Sequence, residues 1–370
     1  MVKYFLVAVV IVGLIPVMQG LMYAGSLDII RAIKPYHSDE LTRLMNFFSY
    51  IGDGTHYFYI NMIFFFAGRQ YEFAYLQIAM VMNVNWVAFL KTILRHPRPQ
   101  FDDPTIGVVN NSSICAGEFG NPSGHTVNTT MQMLNCLFFF KQIWAGWFQR
   151  HRAVARFFDC FVVAFIFMVS LCRLYLGRHS LDQIILGIML GTWSAYFANN
   201  VFKRHFYDPV FVPDLDKDST ETIVSRSRKA FLYALSIYVV LITSMLSLYT
   251  YVDSTHQIPE EWVQSLRDTC PEMKKTHTFH HFSLSVTGLT TLMPAFYLWN
   301  YLKHRSWHKN GFNSESAVAL AQPSTKTVVI GTIIRIIVSV ILEIFWKKVP
   351  AAIYGTSDLD AFPEFVKKSL

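Results

Sequence analysis

The sequence predicts an all-α fold, a polytopic membrane helix bundle of about nine transmembrane helices. Two observations predict it. Hydrophobic residues make up 52% of the 370 and charged residues only 15%, which is more apolar material than one soluble core needs. That material is gathered into separate runs, each close to the roughly 20 residues that cross about 30 Å of hydrocarbon.

In chain order the runs are residues 4–23, 45–67, 73–94, 126–144, 157–175, 183–202, 230–249, 282–301 and 328–346. The first exceeds the apolar core of a secretory signal and has no small-x-small cleavage site before Ser26, so it reads as a true span. The second is the weakest, because Gly52, Asp53 and Gly54 interrupt it. In the ninth, Arg335 and Glu343 lie eight residues apart, over two turns and not directly paired.

Nine spans put successive loops on alternate faces. One face carries the N-terminus together with Lys141, Arg150, Arg152, Arg156, Lys203, Arg204, Arg226, Arg228, Lys229, Lys303, Arg305 and Lys309, many of them at span ends, and is assigned to the cytosol. The net charge of +7 is thus scattered among loops and not gathered on a soluble domain, which argues against a nucleic-acid partner. The opposite face is then lumenal. Overlapping sequons at Asn110-Asn111-Ser112-Ser113, and Cys115 with Cys270 on the same face, fit a glycosylating, oxidising compartment. Cys136, Cys160 and Cys172 fall within spans and read as small core residues.

Two apparent metal motifs fail on inspection. Asp214, Asp216 and Asp218 resemble the start of a calcium loop, but Ser219 and Ser225 stand where the turn glycine and the bidentate glutamate belong. His277, His280 and His281 have no cysteine or carboxylate at ligand spacing. No metal and no other cofactor is expected.

Three pieces on the lumenal face carry chemistry. Lys91, Arg95 and Arg98 end the third span and would share a helix face, but Pro97 and Pro99 make the chain leave the helix there. Residues 120–126, Gly-Asn-Pro-Ser-Gly-His-Thr, precede the fourth span, so that backbone N–H groups and the Ser123 hydroxyl can meet an anion at a helix N-terminus. Gly124 would let that backbone approach closely. His125 beside the anion can then give a proton to a leaving oxygen. The third piece is Arg173, deep in an apolar run where a charge is costly and usually functional, followed by His179 in a short loop. Together they supply cations for a dianion, hydrogen-bond donors and two histidines, the equipment for metal-free phosphoryl transfer through a phosphohistidine.

Lys91-x6-Arg98-Pro99, Pro122-Ser123-Gly124-His125 and Arg173-x5-His179 resemble, in order and spacing, the tripartite signature of the type 2 phosphatidic acid phosphatase superfamily, over roughly residues 53–202. The resemblance implies a six-helix core. It implies His179 as nucleophile, His125 as general acid, and Lys91, Arg98, Ser123, Gly124 and Arg173 as the phosphate seat. Cys172 stands where the family usually has serine, which predicts one donor fewer. Gln183 stands where many members have an aspartate orienting the nucleophile, with Asp182 one residue early; a glutamine there can still accept an N–H bond from His179. The expected organisation is a phosphatase core over residues 1–203, a cytosolic loop over 204–229, and additional C-terminal helices over 230–370.

The substrate reading favours a phosphorylated lipid. The run Glu118-Phe-Gly-Asn-Pro122, the run around His179 and the three spans ahead of the core look like sphingoid-base-phosphate phosphatases. The alternative is a glucose-6-phosphatase-like hydrolase of the endoplasmic reticulum, to which Gln183, Pro-Ser-Gly-His, nine spans and the terminal Lys367-Lys368-Ser369-Leu370 point; yet nine spans put that dilysine tail in the lumen, where a retrieval signal is not read. A catalytically inactive structural protein on the same fold is the reading of another class.

Overall fold

The computed structural model describes residues 2–66, 68–106, 118–214, 217–269 and 290–309. Asn110 to Ser113, Cys115, Cys270, His277, His280, His281, Arg335, Glu343, the ninth run and the dilysine tail lie outside them. Among the described residues the chain is helical, with no strand.

The first expected span is two helices, α1 (Val2–Gly13) and α2 (Ile15–Ile33), bent by 40°. Pro16 sits in the first turn of α2, where its missing N–H breaks the ladder between them. The second expected span also divides, into α3 (Asp39–Ile51) and α4 (Gly54–Phe66). Each is about 20 Å long at 1.5 Å per residue, short of the hydrocarbon thickness. Ser38 caps α3 by accepting from the Leu41 N–H at 3.2 Å. At the break, a Cβ on Gly52 would stand 2.5 Å from Val169 Cγ1, so only glycine lets this elbow press against the bundle.

Four helices form the centre: α5 (Gln70–Leu94), α7 (Gly124–Ile143), α9 (Arg152–Tyr175) and α10 (Leu181–Phe197). Between them lie α6 (Pro99–Asp102) and α8 (Ala145–Arg150). α7 is polar for a buried helix, and its polar groups pair with its neighbours. Asn128 accepts from Asn83 at 2.8 Å, Thr129 from Tyr57 at 2.7 Å, and Asn135 from Asn199 at 2.6 Å. The C-terminal end of α5, the N-terminal end of α7, the C-terminal end of α9 and the N-terminal end of α10 all meet at one face.

The segment 204–229, expected as a loop, is largely helical. α10 runs on through the π-type stretch Ala198–Tyr207 into α11 (Asp208–Phe211), and residues 220–229 are the first turns of α12 (Thr220–Thr255). α12 is buried at only five positions and bares Leu232, Tyr233, Ile237, Val239 and Val240, the outline of a lipid-facing helix. It packs on α14 (Leu292–Lys309), while α13 (Glu260–Thr269) lies across α6. Among the described residues four helices are long and apolar enough to span a membrane, or five if the bent pair counts as one span. The protein is an integral membrane helix bundle.

Candidate active site

Each functional side chain is placed by a helix end. α5 stops at Leu94 because Arg95 takes a left-handed conformation (φ 52°) and Pro97 and Pro99 follow. Lys91 therefore remains on the last turn, while Arg98 sits in the extended segment beyond it. Both are buried, 3% and 1% exposed at the side chain.

Residues 118–122 are stapled onto that extended segment. Gly120 N–H donates to His96 O at 2.8 Å, Arg98 Nε to Glu118 O at 2.8 Å, and the Asn121 amide meets His96 Nδ1 at 2.9 Å. A Cβ on Gly120 would lie 2.6 Å from Pro97 O and 2.7 Å from Gln183 Nε2. Gly124 is not tight in this way: an added Cβ would meet only Val87 at 3.5 Å and the Lys91 stem at 3.9 Å, ordinary contact distances. Gly120→Ala is therefore expected to displace Gln183 and cut turnover at least tenfold, whereas Gly124→Ala keeps the fold; phosphate release and thermal unfolding of both variants check this.

Ser123 stands at the N-cap position of α7, fully buried, its hydroxyl not bonded to a helix N–H but 3.0 Å from Thr126 Oγ1. Its own N–H donates to Gln183 O at 3.1 Å, which leaves the N–H groups of the following turn, from Gly124 onward, as the anion donors of this helix end. His125 follows on that turn. Its Nε2 is 3.7 Å from Asp53 Oδ2, beyond a hydrogen bond but within ion-pair reach when the imidazole is protonated.

Arg173 on the last turn of α9 is buried and donates through Nη1 to Ser49 Oγ at 2.6 Å. Cys172 beside it packs in an apolar cluster with Met45, Tyr175 and Leu176, donates to Val169 O at 2.9 Å, and also meets Ser49, the residue that accepts from Arg173. The turn Leu176 to Ser180 then presents His179, 1% exposed.

The hydrogen bonds around His179 fix its tautomer. Gln183 Nε2 donates to Pro97 O at 2.8 Å, which turns Gln183 Oε1 toward His179 Nδ1 at 2.9 Å. An amide oxygen only accepts, so Nδ1 carries the proton. On the other side Arg98 Nη1, which only donates, stands 3.2 Å from Nε2. Nε2 therefore holds a lone pair aimed at the cations. Burial, with Arg98, Arg173 and Lys91 nearby, pushes the His179 pKa well below the ordinary range, so the ring is neutral. Asp182 is buried in the first turn of α10, where the helix dipole favours a carboxylate; the contact to His179 comes from Gln183.

Three further residues belong to this cluster. Arg178 is 1% exposed, reaches Gln100 Oε1 through Nη1 at 2.5 Å, and interacts with Arg173 and Arg98. Glu118 places Oε1 2.6 Å from Arg98 Nη2 and 3.3 Å from Lys91 Nζ. Burial alone would raise its carboxyl, but Arg98 and Lys91 hold it below the usual carboxylate range. Asp53 comes from the break in the second run. An acid inside an apolar run and an Arg-His pair in a short loop were the signals in the sequence for Asp53 and Arg178. α13 covers the cluster: Trp262 stacks on Phe101 at 6.1 Å and donates to Asp102 at 3.0 Å, and Leu266 packs with Phe119.

Residues 72–207 match the PAP2 superfamily. Over 163 residues the chain is 28% identical to a dolichyldiphosphatase of Saccharomyces cerevisiae; the match covers 43% of this chain and 64% of that protein, less than two thirds of its length. A crystal structure of a transmembrane PAP2 type phosphatidylglycerolphosphate phosphatase from Bacillus subtilis superposes with a TM-score of 0.44 at 17% identity, over 55% of this chain and 98% of that one.

Proposed function

From the PAP2-superfamily region, residues 72–207, which holds both histidines and the four buried cations, we propose that the protein is a membrane phosphatase that hydrolyses a phosphorylated lipid through a phosphohistidine on His179. The observation that carries this reading is the bonded triad Gln183–His179–Arg98, which presents a neutral Nε2 to a site rich in positive charge.

Lys91, Arg98, Arg173 and the N–H groups at the start of α7 hold the phosphoryl oxygens and offset the charge that develops on them. Nε2 of His179 attacks phosphorus as the ester P–O bond breaks, and His125 gives its proton to the departing alkoxide. A water then attacks the P–N bond and loses its proton to His125, which releases phosphate and restores both imidazoles. Asp53 steadies the protonated state of His125. The name of the yeast relative, a lipid diphosphatase, supports a lipid substrate, and the basic residues of the far face support a lumenal site in an internal membrane such as the endoplasmic reticulum.

His125→Ala is expected to slow alkyl phosphates by about 10²- to 10⁴-fold and aryl phosphates much less, because a good leaving group needs no proton. The functional test is phosphate release in detergent with EDTA, comparing phosphatidic acid, a sphingoid-base phosphate, a polyprenyl diphosphate and glucose 6-phosphate. Turnover of a lipid supports the reading, and turnover of glucose 6-phosphate alone replaces it with the sugar-phosphate one. No turnover of any of them favours an inactive core.

A further inference from the structure

We infer that Glu118 is a resident counter-ion of the phosphate seat, an intramolecular competitor that occupies it between turnovers and is displaced by the substrate's phosphoryl group. The inference rests on the phosphatase reading and adds to it a residue that sets how tightly substrate and product phosphate are held.

Three observations carry it. The first is position. One carboxylate oxygen, Oε1, meets Arg98 Nη2 at 2.6 Å and Lys91 Nζ at 3.3 Å, so a single anionic oxygen takes both of the cations assigned to a phosphoryl oxygen. The second is access. Lys91 and Arg98 are 3% and 1% exposed at the side chain, whereas Glu118 is 20% exposed, so of the three it is the group most open to solvent. The third is anchoring. Arg98 Nε is bonded to the backbone carbonyl of Glu118 at 2.8 Å, and Gly120 N–H to His96 O at 2.8 Å. The carboxylate can therefore leave the seat by side-chain rotation while the backbone that positions Arg98 stays in place.

The electrostatics explain why such a group belongs here. Four guanidinium or ammonium groups, Lys91, Arg98, Arg173 and Arg178, are buried close together. A cluster of that kind without an anion is costly, and it would also hold product phosphate tightly. A carboxylate that re-enters as phosphate departs offsets both effects. A phosphoryl dianion displaces it because it brings more charge and more acceptor oxygens to the same donors.

A purely supporting role for Glu118, fixing Arg98 from behind, predicts the opposite sign, so one substitution separates the two. Glu118→Gln preserves side-chain size and the backbone carbonyl and removes the charge. Binding of inorganic phosphate to the full-length protein in detergent, measured by calorimetry, is expected to tighten by about tenfold or more. KM and the inhibition constant of phosphate should fall with it, while kcat does not rise. Weaker or unchanged phosphate binding would overturn the inference. Should that variant fail to fold, Glu118→Asp, whose shorter arm cannot span Arg98 and Lys91, is expected to tighten phosphate binding to a lesser degree, and no tightening there overturns it equally. Folded wild-type protein that binds no phosphate at all would instead overturn the phosphatase reading beneath it.

Discussion

His179→Ala is expected to abolish phosphate release, lowering kcat by at least about a thousandfold, with the helix bundle intact. The size follows from its role: without Nε2 there is no covalent intermediate, and the remaining cations hold a phosphoryl group that nothing attacks except water. The fold should persist because the neighbours of His179 keep other partners. Gln183 still donates to Pro97 O, and Arg98 still holds Glu118 through both its backbone and its carboxylate. Phosphate release set beside thermal unfolding in detergent separates lost chemistry from lost structure. Turnover near the wild-type rate would exclude His179 as the nucleophile.

Arg98→Lys should lower kcat/KM by roughly a hundredfold, although it keeps the charge. All three guanidinium nitrogens are engaged: Nε on Glu118 O, Nη2 on the Glu118 carboxylate, and Nη1 shared between Arg178 O at 3.3 Å and His179 Nε2 at 3.2 Å. An ammonium is a point charge with three donors on a flexible stem and cannot reproduce that fork. The loss should fall on both kcat and KM, because the same group orients the nucleophile and binds the phosphoryl oxygens. Steady-state kinetics of the variant check it. A loss confined to KM would mean that Arg98 only binds.

The site was more legible than the fold around it. Lys91, Arg98, Ser123, His125, Arg173 and His179, singled out by the order and spacing of three motifs, are brought to one face by helix ends, and the turns after Leu94 and Tyr175 follow from proline and glycine chemistry in the local sequence. Helix length and breakage were harder to read. Hydropathy sees residues 45–67 as one run, but the elbow at Gly52 depends on Val169, more than a hundred residues away. Residues 204–211 and 220–229 look like a loop by charge, yet they continue one helix and open another, with Lys203–Asp208 and Arg226–Asp218 pairs among the charged turns. The placements of Glu118 and Arg178 are tertiary too, since each depends on contacts with Arg98 or Gln100 from elsewhere in the chain. The tightness at Gly120 is tertiary as well, since the neighbour there is Gln183 from another helix.

The most direct test of the central claim is to trap the phosphoenzyme. Protein mixed with a substrate carrying labelled phosphorus, quenched in alkali within one turnover, should retain label that is stable to base and labile to acid, as a P–N bond is. After digestion the label should lie on the peptide that contains His179 and be absent from His179→Ala protein. A wild-type enzyme that turns over with no such label, or with label on another residue, would contradict the account.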